Sequence, residues 1–326
     1  MCLICFSVWQ YEYKANDVHP VNPHKNKLIC WKYMPPHKRQ ESPPQPPRPA
    51  HSAVVDVRTI TPKVTSVVEA APTVVSAAIA TVCGLNPSTT DRYEARNDAL
   101  RSIARERHLP TNDVAALVSW LASTNDVLRV ERLAALKNDV MNLLRNQEPP
   151  PPDFADTLVA MFESGDHPPA VLDYCIQHLG AVQGDIKDDA LRRRIRALFA
   201  KAAGRAKLPY AGTALYALAE DGSATPAQEA ELRRLTLSLC APAANPATRI
   251  AAIQLAGERG YADALPLLRE TLSSPRRDAV TDIVCLGSLG LLGGADDLPL
   301  LRRFATMGPR YATAAQAAIR RIEERK

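Results

Sequence analysis

The sequence is short of aromatic residues, 5% of its 326 positions, and holds only 14 glycines. Sandwiches and barrels draw on aromatic side chains and Gly-marked turns, so both shortages point away from them and toward Ala- and Leu-rich helices. No apolar run reaches the roughly eighteen residues that a membrane helix needs. The nearest stretch, residues 64–83, is broken by Glu69, Pro72 and several hydroxyl side chains. The seven cysteines (Cys2, Cys5, Cys30, Cys83, Cys175, Cys240, Cys285) are odd in number and outline no disulfide framework, which favours a reducing compartment. The last three fall within helical apolar patterns and read as small core residues. Residues 1–9 have no basic segment ahead of their apolar side chains, so no secretory signal is expected and a cytoplasmic location is. Export stays open only if translation starts downstream, where Lys63 precedes a weakly apolar stretch.

What is present is unevenly distributed. Net charge is +5, and residues 1–63 supply all of it with nine Lys/Arg against four Asp/Glu. The neutral remainder lacks the domain-wide basic excess usual in nucleic-acid binders. Residues 1–33 carry Trp9, Tyr11, Tyr13, Trp31 and Tyr33 with no helical or strand period. Seven of the 27 prolines then crowd residues 34–49, a composition that favours extended polyproline conformations. The expected organisation is a low-order leader with a Pro-rich linker over residues 1–50, a Val/Thr/Ala-rich linker over 51–87, and an ordered helical domain over 88–326.

Within 88–326 the chain alternates apolar-striped segments with Pro- or Gly-marked breaks. Leu133, Leu136, Val140, Leu143 and Leu144 share one helical face, as do Leu191, Ile195, Leu198, Phe199 and Ala202. Thr225, Pro226 and Gln228 spell a capping box with proline at the first helical position. Asn245-Pro246 and Ser274-Pro275 repeat the cap-then-proline signature. The pattern predicts thirteen helices, near 91–107, 112–123, 128–146, 153–164, 168–182, 188–203, 208–220, 226–240, 247–258, 263–273, 278–290, 296–306 and 310–325: six hairpins and a closing helix.

The most specific feature is an internal repeat at a 33-residue offset. Residues 250–269 align with 283–302, with identities at Gly257/Gly290, at Gly260/Gly293, at Ala262-Asp263/Ala295-Asp296 and across the Leu-Pro-Leu-Leu-Arg that holds Pro266/Pro299. Gly260 and Gly293 are expected to close a first helix, Asp263 and Asp296 to cap the second, and Pro266 and Pro299 to sit in its first turn, where a missing N–H is harmless.

An apolar helix ending in Gly-x-x-Gly, followed by Ala-Asp and Leu-Pro-Leu-Leu, resembles the HEAT repeat family. The resemblance covers residues 246–326, and Tyr174 to Gly180 is similar to the first helix of a repeat. It implies an all-α fold, a right-handed α-α superhelix (a HEAT-like solenoid) of about six hairpins, whose second helices line the inner surface. On that surface Arg192, Arg193, Arg194, Arg196, Arg233, Arg234, Arg269, Arg302 and Arg303 would form a basic ladder suited to phosphates or carboxylates. The alternative is a solvated face, with Asp188, Asp189, Glu229, Glu231 and Glu270 interspersed.

Other constellations are weaker. Cys2-x-x-Cys5 with Cys30 and His19, His24 or His37 lacks a second ligand pair at a recognisable spacing, so no metal is expected. Gly287, Gly290, Gly293 and Gly294 lack the strand and Lys-Ser/Thr of a phosphate loop and read as close packing and a helix end. His167 and His178 have no adjacent acid or thiol and read as structural. No His-Glu pair occurs, which the iron-dependent hydroxylase built on HEAT-like repeats requires. The expected function is therefore a non-catalytic scaffold or adaptor that binds a protein or peptide, without cofactor or small-molecule ligand. Nucleic-acid or other polyanion binding through the arginine ladder is the alternative.

Overall fold

Apolar stripes, proline starts and glycine stops set the helices. The computed structural model describes residues 73–222 and 224–325. Helices run over Val74–Val82 (α1), Tyr93–Ile103 (α2), Thr111–Ala122 (α3), Val130–Arg145 (α4), Phe154–Ser164 (α5), Pro169–Val182 (α6), Asp189–Ala203 (α7), Ala211–Ala219 (α8), Pro226–Leu239 (α9), Pro246–Glu258 (α10), Leu265–Ser273 (α11), Ala279–Leu292 (α12), Leu298–Ala305 (α13) and Pro309–Glu323 (α14). No strand occurs among the described residues. None of these helices is long and apolar enough to cross a membrane.

Several ends follow from the local chemistry. Thr225 accepts from the Gln228 N–H while Gln228 Oε1 accepts from the Thr225 N–H, so both orphan donors at the start of α9 are satisfied. Asn245 accepts from the Ala247 N–H at 3.0 Å ahead of Pro246. Ser274-Pro275 does not open a helix. Ser274 instead ends α11, and Asp278 caps α12 by accepting from Val280 and Thr281. Gly260 closes α10 at φ +71°, a left-handed conformation that costs glycine little.

The helices form two layers. Even-numbered helices stack in order from α2 to α14, and each odd-numbered helix packs on the even one that follows it, α1 on α2 through α13 on α14. Odd helices α1, α3, α5 and α7 also touch in sequence. One continuous apolar seam runs between the layers from Ile79 to Ile322, with Leu136, Leu158, Ile176, Phe199, Leu215, Ile253, Leu286 and Phe304 fully enclosed. Each such side chain contributes about 1.5–3 kcal/mol relative to exposure. Cys83, Cys175, Cys240 and Cys285 are free and buried in it, and burial pushes the four thiols up to about 12.

Small residues let the even helices almost touch. A Cβ on Gly290 would stand 2.7 Å from Ala318 Cα, one on Gly257 2.8 Å from Ser288 Oγ, and one on Gly212 2.9 Å from Ala251 Cβ. The repeating glycine thus marks the crossing of successive even helices, where no side chain fits.

The expected linker over 51–87 needs correction at its end. Residues 74–82 form α1, whose Ile79 and Val82 are buried against α2 and α3. That helix makes fourteen among the described residues, so the stack holds seven odd-even pairs. The leader, the Pro-rich linker and Cys2, Cys5 and Cys30 lie outside the described residues.

Candidate functional site

The arginines singled out by sequence all fall on odd helices, and most are engaged. Arg192 pairs with Asp189 one turn away, and Arg194 reaches Glu163 on α5 and, at 3.6 Å, Asp156. Arg196 meets Asp221 beyond α8, Arg233 meets Asp263 beyond α10, and Arg269 meets Asp297 beyond α12. Arg302 lies 3.6 Å from Glu323 on α14. Arg303 donates to the Leu272 carbonyl at 3.0 Å and stacks over the Phe304 ring. Arg193 and Arg234 are exposed.

Most of these pairs span repeats. From α7, α9 and α11 in turn, an arginine reaches past the next even helix to a carboxylate just before the next odd one. Arg269 is the best-defined case: its Nε and Nη2 donate to the two oxygens of Asp297 at 2.7 and 3.0 Å. Asp297 also accepts from the Gly294 N–H at 2.9 Å, and the Arg269 hydrogen bonds, ahead of that one, hold its carboxyl below the usual carboxylate range. Neither Asp263 nor Asp296 caps the helix it precedes. Asp263 is engaged by Arg233, and the local capping bond falls to Asp297, one residue later than the repeat suggests. Pro266 and Pro299 do sit in the first turns of α11 and α13. Gly293 is extended rather than left-handed, at φ −74° and ψ 176°. It is needed because a Cβ there would stand 2.6 Å from both Asp297 Oδ2 and the Leu289 carbonyl.

A second polar constellation was not anticipated. Arg96 is fully buried and donates bidentately to Asp126 at 2.9 and 2.7 Å, to the Val82 carbonyl at 2.9 Å and to the Thr90 carbonyl at 3.0 Å. Burial alone would raise the Asp126 carboxyl. The Arg96 hydrogen bonds, with those from Leu128 N–H and Trp120 Nε1, lower it on balance. Buried Lys137 caps the end of α3 by donating to the Leu121 and Ser123 carbonyls, and burial brings its ammonium down to about 8. The group clasps the loop after α1 to the loop after α3. A signal was present: Lys137 falls four residues from Leu133 and Met141, inside the apolar stripe of α4.

His167 and His178 are both buried. His178 Nε2 lies 3.2 Å from Asn138 Oδ1, its ring meets Phe154 edge-on, and burial, helped by Arg145, pushes its imidazole down to about 3. Among the described residues no three His, Cys, Asp or Glu side chains gather as metal ligands would.

Residues 234–320 match the family of HEAT repeats. That segment spans the last residues of α9 through most of α14, where the spacing of Gly257/Gly290 and Pro266/Pro299 has just been accounted for. Residues 234–320 carry HEAT repeats. No curated protein matches it. Among solved structures, one of human deoxyhypusine hydroxylase in complex with glycerol is similar in fold, 14% identical, covering 77% of this chain and 96% of that one at a TM-score of 0.31. This match corrects the expectation that the chain is not an enzyme. The structural neighbour is itself an enzyme, and that expectation is withdrawn.

Proposed function

We propose that the HEAT-repeat stack is a scaffold that holds a protein partner on its surface, mainly through apolar contacts. The carrying observation is a contrast of charge. Six of the nine arginines that could have offered a polyanion surface are engaged by carboxylates of their own or neighbouring repeats, while large apolar side chains stand in water at one end. Leu85 is 70% exposed, Val127 66% and Val130 51%. Their loops are held together by the Arg96 clasp, so the three side chains are offered from a rigid base. Apolar burial contributes about 25 cal/mol per Å2 and is insensitive to salt, whereas phosphate contacts weaken steeply as salt rises.

The test is capture from native lysate by the full chain, with nuclease treatment and a high-salt wash. A retained protein that is lost, by about tenfold or more, on Leu85→Asp with Val127→Asp is the expected outcome. Recovery of nucleic acid that salt removes, with no protein dependent on Leu85 and Val127, overturns the proposal.

A further inference from the structure

A cleft of about 380 Å3 opens beside the loop that joins α11 to α12. Arg249 of α10, Glu270 of α11, Arg276, Arg277 and Asp278 of the loop, and Asp282 of α12 line it. Asp282 is 1% exposed, yet its Oδ2 has no hydrogen-bond partner, and its nearest cation, Arg277 Nη1, is 3.8 Å away. A buried carboxyl oxygen left without a partner is costly and unusual. The other cleft carboxylate in the loop is committed, since Asp278 accepts from Val280, Thr281 and the Thr281 hydroxyl.

The arginines, by contrast, have donors to spare. A guanidinium carries five N–H groups. Arg249 directs Nε to the Cys240 carbonyl at 2.9 Å and Nη2 to Thr271 Oγ1 at 3.0 Å; Arg277 directs Nη1 to the Leu272 carbonyl at 2.8 Å and lies over the Phe304 ring. These contacts fix both side chains and leave further N–H groups for the cleft. Arg276 is exposed. Burial raises the Asp282 carboxyl above the ordinary carboxylate range; Arg277 and Arg249 pull it back and Asp278 pushes it up. Glu270, Arg276 and the thiols of Cys240 and Cys285 complete the titratable and charged surroundings. A protonated Asp282 is a hydrogen-bond donor beside three cations, an arrangement that repels an ammonium and suits an oxyanion.

We infer that this cleft is an oxyanion site, in which Arg249, Arg276 and Arg277 supply charge-assisted hydrogen bonds to one phosphate or carboxylate group and Asp282 adds a neutral donor only in its protonated form. The site goes beyond the partner surface proposed above, stands on different residues, and departs from the expectation that no small ligand binds. Its affinity falls as pH rises, because an ionised Asp282 opposes the anion.

The experiment is calorimetric titration of the full chain with sulfate, whose charge is constant over the working range, and separately with succinate, each in excess chloride at acidic and neutral pH. Saturable binding is expected, weakened about tenfold by Arg276→Ala and tightened by Glu270→Gln. Asp282→Asn, which keeps a donor and removes the titration, is expected to preserve binding and reduce the pH dependence of sulfate affinity. Sulfate binding assigns a tetrahedral phosphate-like group, and succinate binding without sulfate assigns a carboxylate. Absence of saturable binding, binding that Arg276→Ala leaves unchanged, or a pH dependence of sulfate affinity that Asp282→Asn leaves undiminished overturns the inference. Arg276 is exposed, so its variant keeps the test decisive where Asp282→Asn destabilises the chain.

Discussion

His178 shows how one side chain couples the helical stack to pH. In the folded chain its imidazole is held near 3 by burial, with Arg145 adding to the effect, against an ordinary value near 6.5. Between those values the unfolded chain binds the proton and the folded chain does not, so stability declines as pH falls from about 6.5 toward 3. Thermal melts of the full chain across that window are expected to show the loss, and His178→Gln is expected to remove part of the slope while keeping an amide beside Asn138. An unchanged slope would place the acid sensitivity elsewhere. His167, also lowered by burial and by Lys137, adds in the same direction. The other residue-scale feature is charge inside the core. Arg96 and Lys137 are tolerated there because every strong demand is met: a bidentate carboxylate and two carbonyls for the first, two helix-end carbonyls for the second.

At the scale of elements, the arginine-carboxylate pairs join successive odd helices, and their worth depends on burial. Asp297 is only 4% exposed and takes three hydrogen bonds, whereas Asp263 is 58% exposed. Asp297→Ala is therefore expected to cost about 1–3 kcal/mol in denaturant unfolding, because a buried cluster loses its acceptor and the Gly294 N–H its partner. Asp263→Ala is expected to cost less than about 1 kcal/mol, since water and salt screen that pair. Equal effects would mean that the ladder acts as one unit. The same comparison explains why sequence placed the capping aspartate one residue early. Asp296 repeats Asp263 in register, but the backbone at Gly293 and Gly294 turns so that Asp297, not Asp296, reaches the amide.

For the whole molecule the start of the stack matters most. A solenoid is held by contacts between neighbours, so a missing terminal helix exposes the seam of the next one. Cutting the chain at residue 88, the boundary expected from sequence, would strip α1 from α2, bare Leu100 and Ile103, and take the Val82 carbonyl from Arg96. A chain beginning at residue 73 is expected to melt at a clearly higher temperature than one beginning at 88. Matching melting temperatures would show that α1 is dispensable. The helix escaped the sequence reading because its nine residues, Val-Val-Ser-Ala-Ala-Ile-Ala-Thr-Val, include five β-branched side chains and no charge to mark an outer face.

Sequence alone determined the helical class, thirteen of the fourteen helices and the close-packing role of Gly290, because period, caps and a 33-residue repeat are local properties of the chain. It also held the apolar stripe that reveals Lys137 as buried. What it could not contain is the pairing of side chains 25 to 31 residues apart, as between Arg196 and Asp221 or Arg194 and Glu163. Those pairs turn a row of arginines that reads as a ligand surface into braces between repeats. The oxyanion cleft has the same origin, since Arg249 and Asp282 meet only after α10, α11 and α12 have packed. Helix formation follows from neighbours in sequence; which charges are engaged and which are left over follows from neighbours in space.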